Sequence, residues 1–255
     1  MDLEVTKAIT DSWFSRLQEN LSFDVAIVGT GPSGLIAAQK IANAGYKVSM
    51  FESKLAPGGG MWGGAMLFSS VAIQNQAVYL LDEQDIPYQR YNENLVICDS
   101  VLATSALIYR AAKSGVVIHN GMSVEDVVFK DARVSGVVVN WASVVREGLH
   151  VDPLSFRAKI VVDATGHPCM ISETVARKNN LTLNTPTGNV CGERSLNAEE
   201  GEAETVRNTN EIYPGLYVCG MAANGVFGSP RMGPIFGGML LSGEKVANLI
   251  IEELK

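Results

Sequence analysis

The 255-residue sequence predicts an α/β protein: a doubly wound, dinucleotide-binding fold with an antiparallel β hairpin or meander inserted in it. Three observations predict it. A strand, a glycine cluster, a helix and a second strand follow one another in "FDVAIVGTGPSGLIAAQKIANAGYKVSMFES". Two later apolar runs, "AKIVVDATGHP" and "GLYVCGMAANGVFG", each end in glycine as buried strands of such a sheet do. Ahead of these runs, residues 121–160 alternate apolar and polar side chains, the period of an antiparallel ribbon.

Each element has a local cause. Ile9, Trp13, Phe14, Leu17 and Leu21 recur at helical spacing, so a helix is expected over about 4–20, its apolar face serving as core or subunit contact. Val25 to Val28 form the first strand, Gly45 ends the following helix, and Val48 to Phe51 resume as strand. "APGGGMWGGAMLFSSVAIQ" reads as a glycine-dense loop packed against a ligand, since glycine has no Cβ to hold backbone away. Residues 78–120 read as helix, strand and helix, with "VVIHN" a further sheet strand whose His119 is structural. "SVEDVVFKDARVSGVVVNWASVV" turns at "KDARVSG", and "SPRMGPIFGGMLLSGEKVANLIIEEL" is a glycine-rich loop running into a last helix.

Composition narrows the function. A chain with 47% hydrophobic and 18% charged residues and 25 glycines can bury a core in a single domain, expected over 1–255. A net charge of -7, with no cluster of Lys and Arg, argues against nucleic acid as a partner. The start lacks the features of a signal peptide, and no run approaches the roughly 18 apolar residues of a membrane span. A cytoplasmic protein with no membrane partner is the expectation. Cys98, Cys169, Cys191 and Cys219 form no CxxC pair, which suits a reducing compartment.

Gly29, Gly31 and Gly34 form GxGxxG between strand and helix, and Glu52 closes the second strand. In that context the motif is a Rossmann-like fingerprint. Gly29 permits the tight turn, Gly31 lets backbone approach a pyrophosphate at the helix N-terminus, and Glu52 accepts from ribose hydroxyls. A carboxylate there disfavours a 2′-phosphate, so NAD or an ADP moiety is preferred. His167 and Met221 follow strand ends, where ligands collect in open α/β sheets. If 148–156 is a strand, His150 and Asp152 share one of its faces.

In outline the sequence resembles flavoproteins of the glutathione-reductase type, an alternative reading as an FAD-dependent oxidoreductase. Those place an acid after the last strand's glycine, where this chain has Met221, and the chain is short for their extra domains. A non-catalytic NAD-binding sensor would need neither Asp152 nor His167. The fuller resemblance runs from about residue 5 to the C-terminus. The "FES" fingerprint, "GGGMWGGAMLF", "VVVNWASVV", "HVDP", "ATGHP" and above all "PRMGPIFGGMLLSG" resemble the thiazole synthases of thiamine biosynthesis.

That resemblance implies that NAD is a substrate, joined by glycine and sulfur to give an adenylated carboxythiazole. It implies Fe(II) held by Asp152 and His167, and a glycine carboxylate held by Arg231. It also places Ser33, Ser53, Gly60, Val124, His150 and Val151 around the dinucleotide beside Gly29, Gly31, Gly34, Glu52, Asp152 and Met221. It further implies a homo-octamer with sites shared between subunits. An imidazole and a carboxylate leave open positions on Fe(II), and a guanidinium fork matches a carboxylate; neutralising a pyrophosphate is the lesser alternative for Arg231. One departure counts. Self-consuming members carry a sulfur-donating cysteine where this chain has His150, so the resemblance is to the branch that uses free sulfide over many turnovers. His150 could contact substrate, act as acid or base, or be a third metal ligand.

Overall fold

The computed structural model describes residues 1–255. Helix α1 (Asp2–Glu19) leads into the unit β1 (Ser22–Val28), α2 (Pro32–Asn43) and β2 (Val48–Glu52). A smaller piece follows: β3 (Ser70–Gln74), α3 (Val78–Glu83), β4 (Gln89–Arg90), β5 (Leu95–Asp99) and α4 (Ser100–Lys113). Then come β6 (Val117–Asn120), β7 (Met122–Lys130), β8 (Arg133–Trp141), α5 (Ala142–Glu147) and β9 (Leu154–Asp163). The chain closes with α6 (Met170–Asn179), α7 (Ala198–Arg207), β10 (Glu211–Tyr213), β11 (Leu216–Val218), α8 (Met221–Phe227) and α9 (Gly237–Glu253).

The main sheet runs β10-β11-β9-β1-β2-β6, with β1, β2, β6, β9 and β11 mutually parallel and β10 antiparallel at the edge. Val25, Ala26 and Ile27 of β1 are wholly buried. That is the burial expected of a strand covered on both faces, and it accounts for the unbroken apolar run. One face carries α2, α4 and α9 on a core that includes Leu35, Ile36, Leu107 and Leu240. The other carries β7, β8, α6 and α8 on Phe23, Phe51, Phe156 and Val175. The protein is a doubly wound α/β fold with an antiparallel β meander.

The meander merges with the core sheet. Residues 154–157 of β9 pair antiparallel with β8, and residues 157–163 run parallel to β1. The β7–β8 turn falls at Asp131 and Ala132, both at positive φ, as a tight hairpin requires.

Four expectations change. No residue of α1 is fully buried: Leu17 packs half-buried against the core and Trp13 lies against Trp141, while Ile9 and Phe14 are 65% and 51% exposed, so only the C-terminal part of its apolar stripe reaches the core. The end of the glycine-rich loop is strand β3, which with β5 and β4 forms a separate three-stranded antiparallel sheet. Its alternation of buried Val71 and Ile73 is too short to stand out beside five glycines. Helices α6 and α7 are not among the expected elements, because both are short and poor in apolar residues. Strand β9 begins only at Leu154, so His150 and Asp152 lie in irregular chain and share no strand face. No helix is long and apolar enough to cross a membrane.

Candidate functional site

The carboxyl ends of four parallel strands open into one cleft of about 790 Å³. Gly29 to Ser33 enter from β1, Glu52 to Lys54 from β2, Ala164 to Pro168 from β9 and Met221 from β11. Gly29 has φ of 101° and starts the turn into α2. Gly31 is the residue before α2, and a Cβ built on it would meet nothing within 4 Å, so open cleft lies over that helix N-terminus. Gly34 faces away from the cleft, where a Cβ would strike the Gly29 carbonyl. It serves helix-to-strand packing, not ligand contact.

Glu52 is held in place from two sides. Its Oε2 accepts from the Thr30 hydroxyl at 2.5 Å and the Thr30 amide at 3.3 Å, while Oε1 accepts from the Lys54 amide at 2.9 Å. The Ser53 hydroxyl, at 3.4 Å from Oε1, makes the longest contact; a carboxylate has about four acceptor positions, so this is the contact that another donor in the cleft can replace. The glycine-dense loop is partly a packing device. Gly58 donates to the Thr30 carbonyl at 2.9 Å, and a Cβ on Gly59 would sit 3.3 Å from the Gly31 Cα. Gly60, Ala65 and Met66 line the cleft itself.

His167 and Arg231 line the same cleft, with Met221, Met232 and Phe236 among its apolar side chains. Asp163, wholly buried, holds the loop that carries His167. Its Oδ1 accepts from the Thr165 amide and hydroxyl at 3.1 and 2.7 Å, and its Oδ2 from the Ser172 amide and hydroxyl at 2.9 and 2.7 Å. His167 Nδ1 lies 2.6 Å from Glu193 Oε2. Arg231 is exposed, and no ion pair of the protomer uses its guanidinium.

A family model described as Thi4 family matches residues 6–236. The chain belongs to the Thi4 family. A relative from Methanothermobacter thermautotrophicus, called thiamine thiazole synthase, is 52% identical over 254 residues, covering 100% of this chain and 98% of the relative. One of the same name from Pyrococcus horikoshii is 47% identical over 254 residues with the same coverage. The crystal structure of Thermovibrio ammonificans THI4 matches with a TM-score of 0.98 at 46% identity, covering 100% of this chain and 98% of that one.

Within this Thi4-family protomer, the predicted residues Gly29, Gly31, Ser33, Glu52, Ser53, Gly60, Val124, His167, Met221 and Arg231 all line the one cleft. His150, Val151 and Asp152 do not. They are exposed on the segment before β9, whereas His167 follows its other end. Ten residues of strand at about 3.3 Å each put roughly 30 Å between those ends, and one protomer holds no metal-binding cluster of three His, Cys, Asp or Glu residues. Sequence reasoning missed Thr30, Lys54, Asp163 and Glu193. Thr30 lies inside the fingerprint and Asp163 is a buried acid in an apolar strand, which are usable signals, but nothing in "CGER" marks Glu193.

Proposed function

We propose that this Thi4-family chain makes the adenylated carboxythiazole precursor of thiamine from NAD, glycine and free sulfide, with Fe(II), over many turnovers. One observation carries the reading: a single cleft is lined both by Gly31 and Glu52, residues of the dinucleotide fingerprint, and by His167 and Arg231. The relatives' name, thiamine thiazole synthase, supports the product.

In this reading NAD is consumed. Water displaces nicotinamide to give ADP-ribose, which isomerises to a ketone; glycine condenses with it to an imine with loss of water, sulfide adds, and the ring closes and becomes aromatic with loss of further water. The α2 N-terminus and the Gly31 backbone hold the pyrophosphate, and Glu52 accepts from the ribose. Arg231 receives the glycine carboxylate in a two-point contact that also orients its amine. Imine formation releases water and is reversed by it, and the buried Met221, Met232 and Phe236 reduce the water in the cleft.

The metal needs two copies of the chain. His167 offers an imidazole in the cleft and Asp152 an exposed carboxylate elsewhere, so Asp152 of a second copy completes the pair, with His150 and Val151 arriving on the same segment. A nitrogen and a carboxylate oxygen suit Fe(II) and leave positions open. When bound, the ion supplies Lewis acidity and a place for sulfide. The homo-octamer with shared sites is supported by apolar side chains at the protomer surface. Trp141, Val145, Leu149 and Val151 are exposed near that segment, as are Leu67 and Phe68 after the cleft-lining Met66. The sulfide route is supported by the cysteines. Cys98 and Cys219 are buried, their thiols pushed up to about 12 by that burial, so neither is a ready nucleophile. A cytoplasmic location belongs to the same proposal.

The test is anaerobic turnover with NAD, glycine, sulfide and Fe(II), counting product per chain and weighing the intact protein. Several products per chain with unchanged mass are expected. One product per chain with loss of a cysteine sulfur sinks the reading. Co-expressed Asp152→Ala and His167→Ala chains should regain activity in mixed assemblies, and no regain refutes the shared site.

A further inference from the structure

The loop that brings His167 to the cleft is anchored at two independent levels. Its main chain is fixed by Asp163, whose four hydrogen bonds tie Thr165 to the start of α6, and by Met170 N, which donates to the Thr165 hydroxyl at 2.9 Å. None of these bonds involves the imidazole. The ring has one partner, Glu193, and its side chain is 43% exposed, so without that partner it is free to turn about a broad torsion.

Glu193 is not part of the cleft lining. It lies on a segment that runs alongside the residues leading to Arg231. Cys191 N donates to the Val226 carbonyl at 3.1 Å, Gly192 N to Gly225 at 2.9 Å and Arg194 N to Ser229 at 3.0 Å. Arg231 N then donates back to the Arg194 carbonyl at 3.1 Å, and Asn197 N to the Arg231 carbonyl at 3.0 Å. The residue that holds the imidazole and the residue offered to the substrate carboxylate are therefore built on one hydrogen-bonded ribbon.

We propose that Glu193 is the positioning residue of this site, setting the tautomer and orientation of His167 and fixing them relative to Arg231. A carboxylate oxygen is an acceptor, so this contact is made by Nδ1–H donating to Glu193, the tautomer in which Nε2 keeps its lone pair. Glu193 occupies Nδ1 and does not line the cleft, so Nε2 is the nitrogen left for a ligand there. Outer carboxylates of this kind orient imidazole ligands and raise their basicity, and losing one costs on the order of 10–100-fold in metal affinity. The inference rests on the reading of His167 as a metal ligand, and the experiment separates the two.

In metal-free protein with isotope-labelled histidine nitrogens, solid-state spectra of the three histidines should show His167 protonated at Nδ1, and Glu193→Ala should mix or reverse that tautomer. Glu193→Gln should restore it, because the amide oxygen still accepts. Titrated with Co(II), Glu193→Ala should bind on the order of 10–100-fold more weakly and Glu193→Gln close to wild type, with NAD affinity and melting temperature unchanged in both. An unchanged His167 tautomer in Glu193→Ala overturns the proposal, as does loss of Co(II), NAD and thermal stability together, which marks a purely structural role. Undiminished Co(II) binding by His167→Ala overturns the metal reading instead, and the tautomer measurement still decides the role of Glu193.

Discussion

Gly29 and Ala164 touch backbone to backbone across β1 and β9: Ala164 N donates to the Val28 carbonyl at 2.9 Å, and a Cβ on Gly29 would collide with the Ala164 carbonyl. Gly29 is thus demanded both by its φ and by its neighbour, whereas Gly31 is demanded by neither. The two glycines should fail differently. Gly29→Ala should lose at least about 2 kcal/mol of stability in a denaturant titration. Gly31→Ala should melt like wild type yet bind NAD about tenfold more weakly by calorimetry, on the order of 1.4 kcal/mol, because its methyl enters the pyrophosphate space. Equal NAD affinity would remove Gly31 from the binding site.

Arg231→Lys keeps a positive charge and loses the planar fork. It should raise the glycine requirement about tenfold or more while NAD cleavage continues, so that ADP-ribose-type intermediates accumulate and are detected by mass spectrometry. Collapse of NAD binding with unchanged glycine dependence would make the arginine a pyrophosphate ligand.

Asp163→Ala leaves Thr165 and Ser172 without their acceptor in a buried place, at a cost of about 3 kcal/mol. Urea titration should show the loss. Asp163→Asn should recover part of it, since its amide oxygen can still accept from one of the two residues. A variant as stable as wild type would show that the loop is held by something else.

Glu202, on α7, accepts from the Gly238 amide at 2.6 Å and so anchors the start of α9, just after the Arg231 loop. Burial pushes its carboxyl up to about 7 from 4.5, although the bonds from Gln74 and Gly238 oppose that rise. The folded chain then holds a proton between those values that the unfolded chain has released. Stability therefore falls as pH rises from about 4.5 to about 7 and does not return above that window. Glu202→Gln should flatten this part of the profile in calorimetric melts, and an unchanged slope would show that Glu202 does not titrate there.

The sequence by itself determined the local parts. Glycines at fixed spacing after an apolar strand dictate a turn and a helix N-terminus, and Glu52 at the end of β2 follows from the strand length. Continuous apolar runs become buried parallel strands for the same local reason. Even the separate destinations of His150, Asp152 and His167 are implied by the length of β9 once its start at Leu154 is known. Where β9 begins was not legible, because an alternating stretch and an irregular one before Pro153 look alike over five residues. The tertiary structure decided what depends on chain segments far apart in sequence: that the Glu193 segment lies along the Arg231 loop, that Asp163 pins the His167 loop, and that Ile9 and Phe14 of the α1 stripe stay exposed while Leu17 packs against the core. Periodicity reports which side of a helix is apolar, but only packing decides what, if anything, covers it.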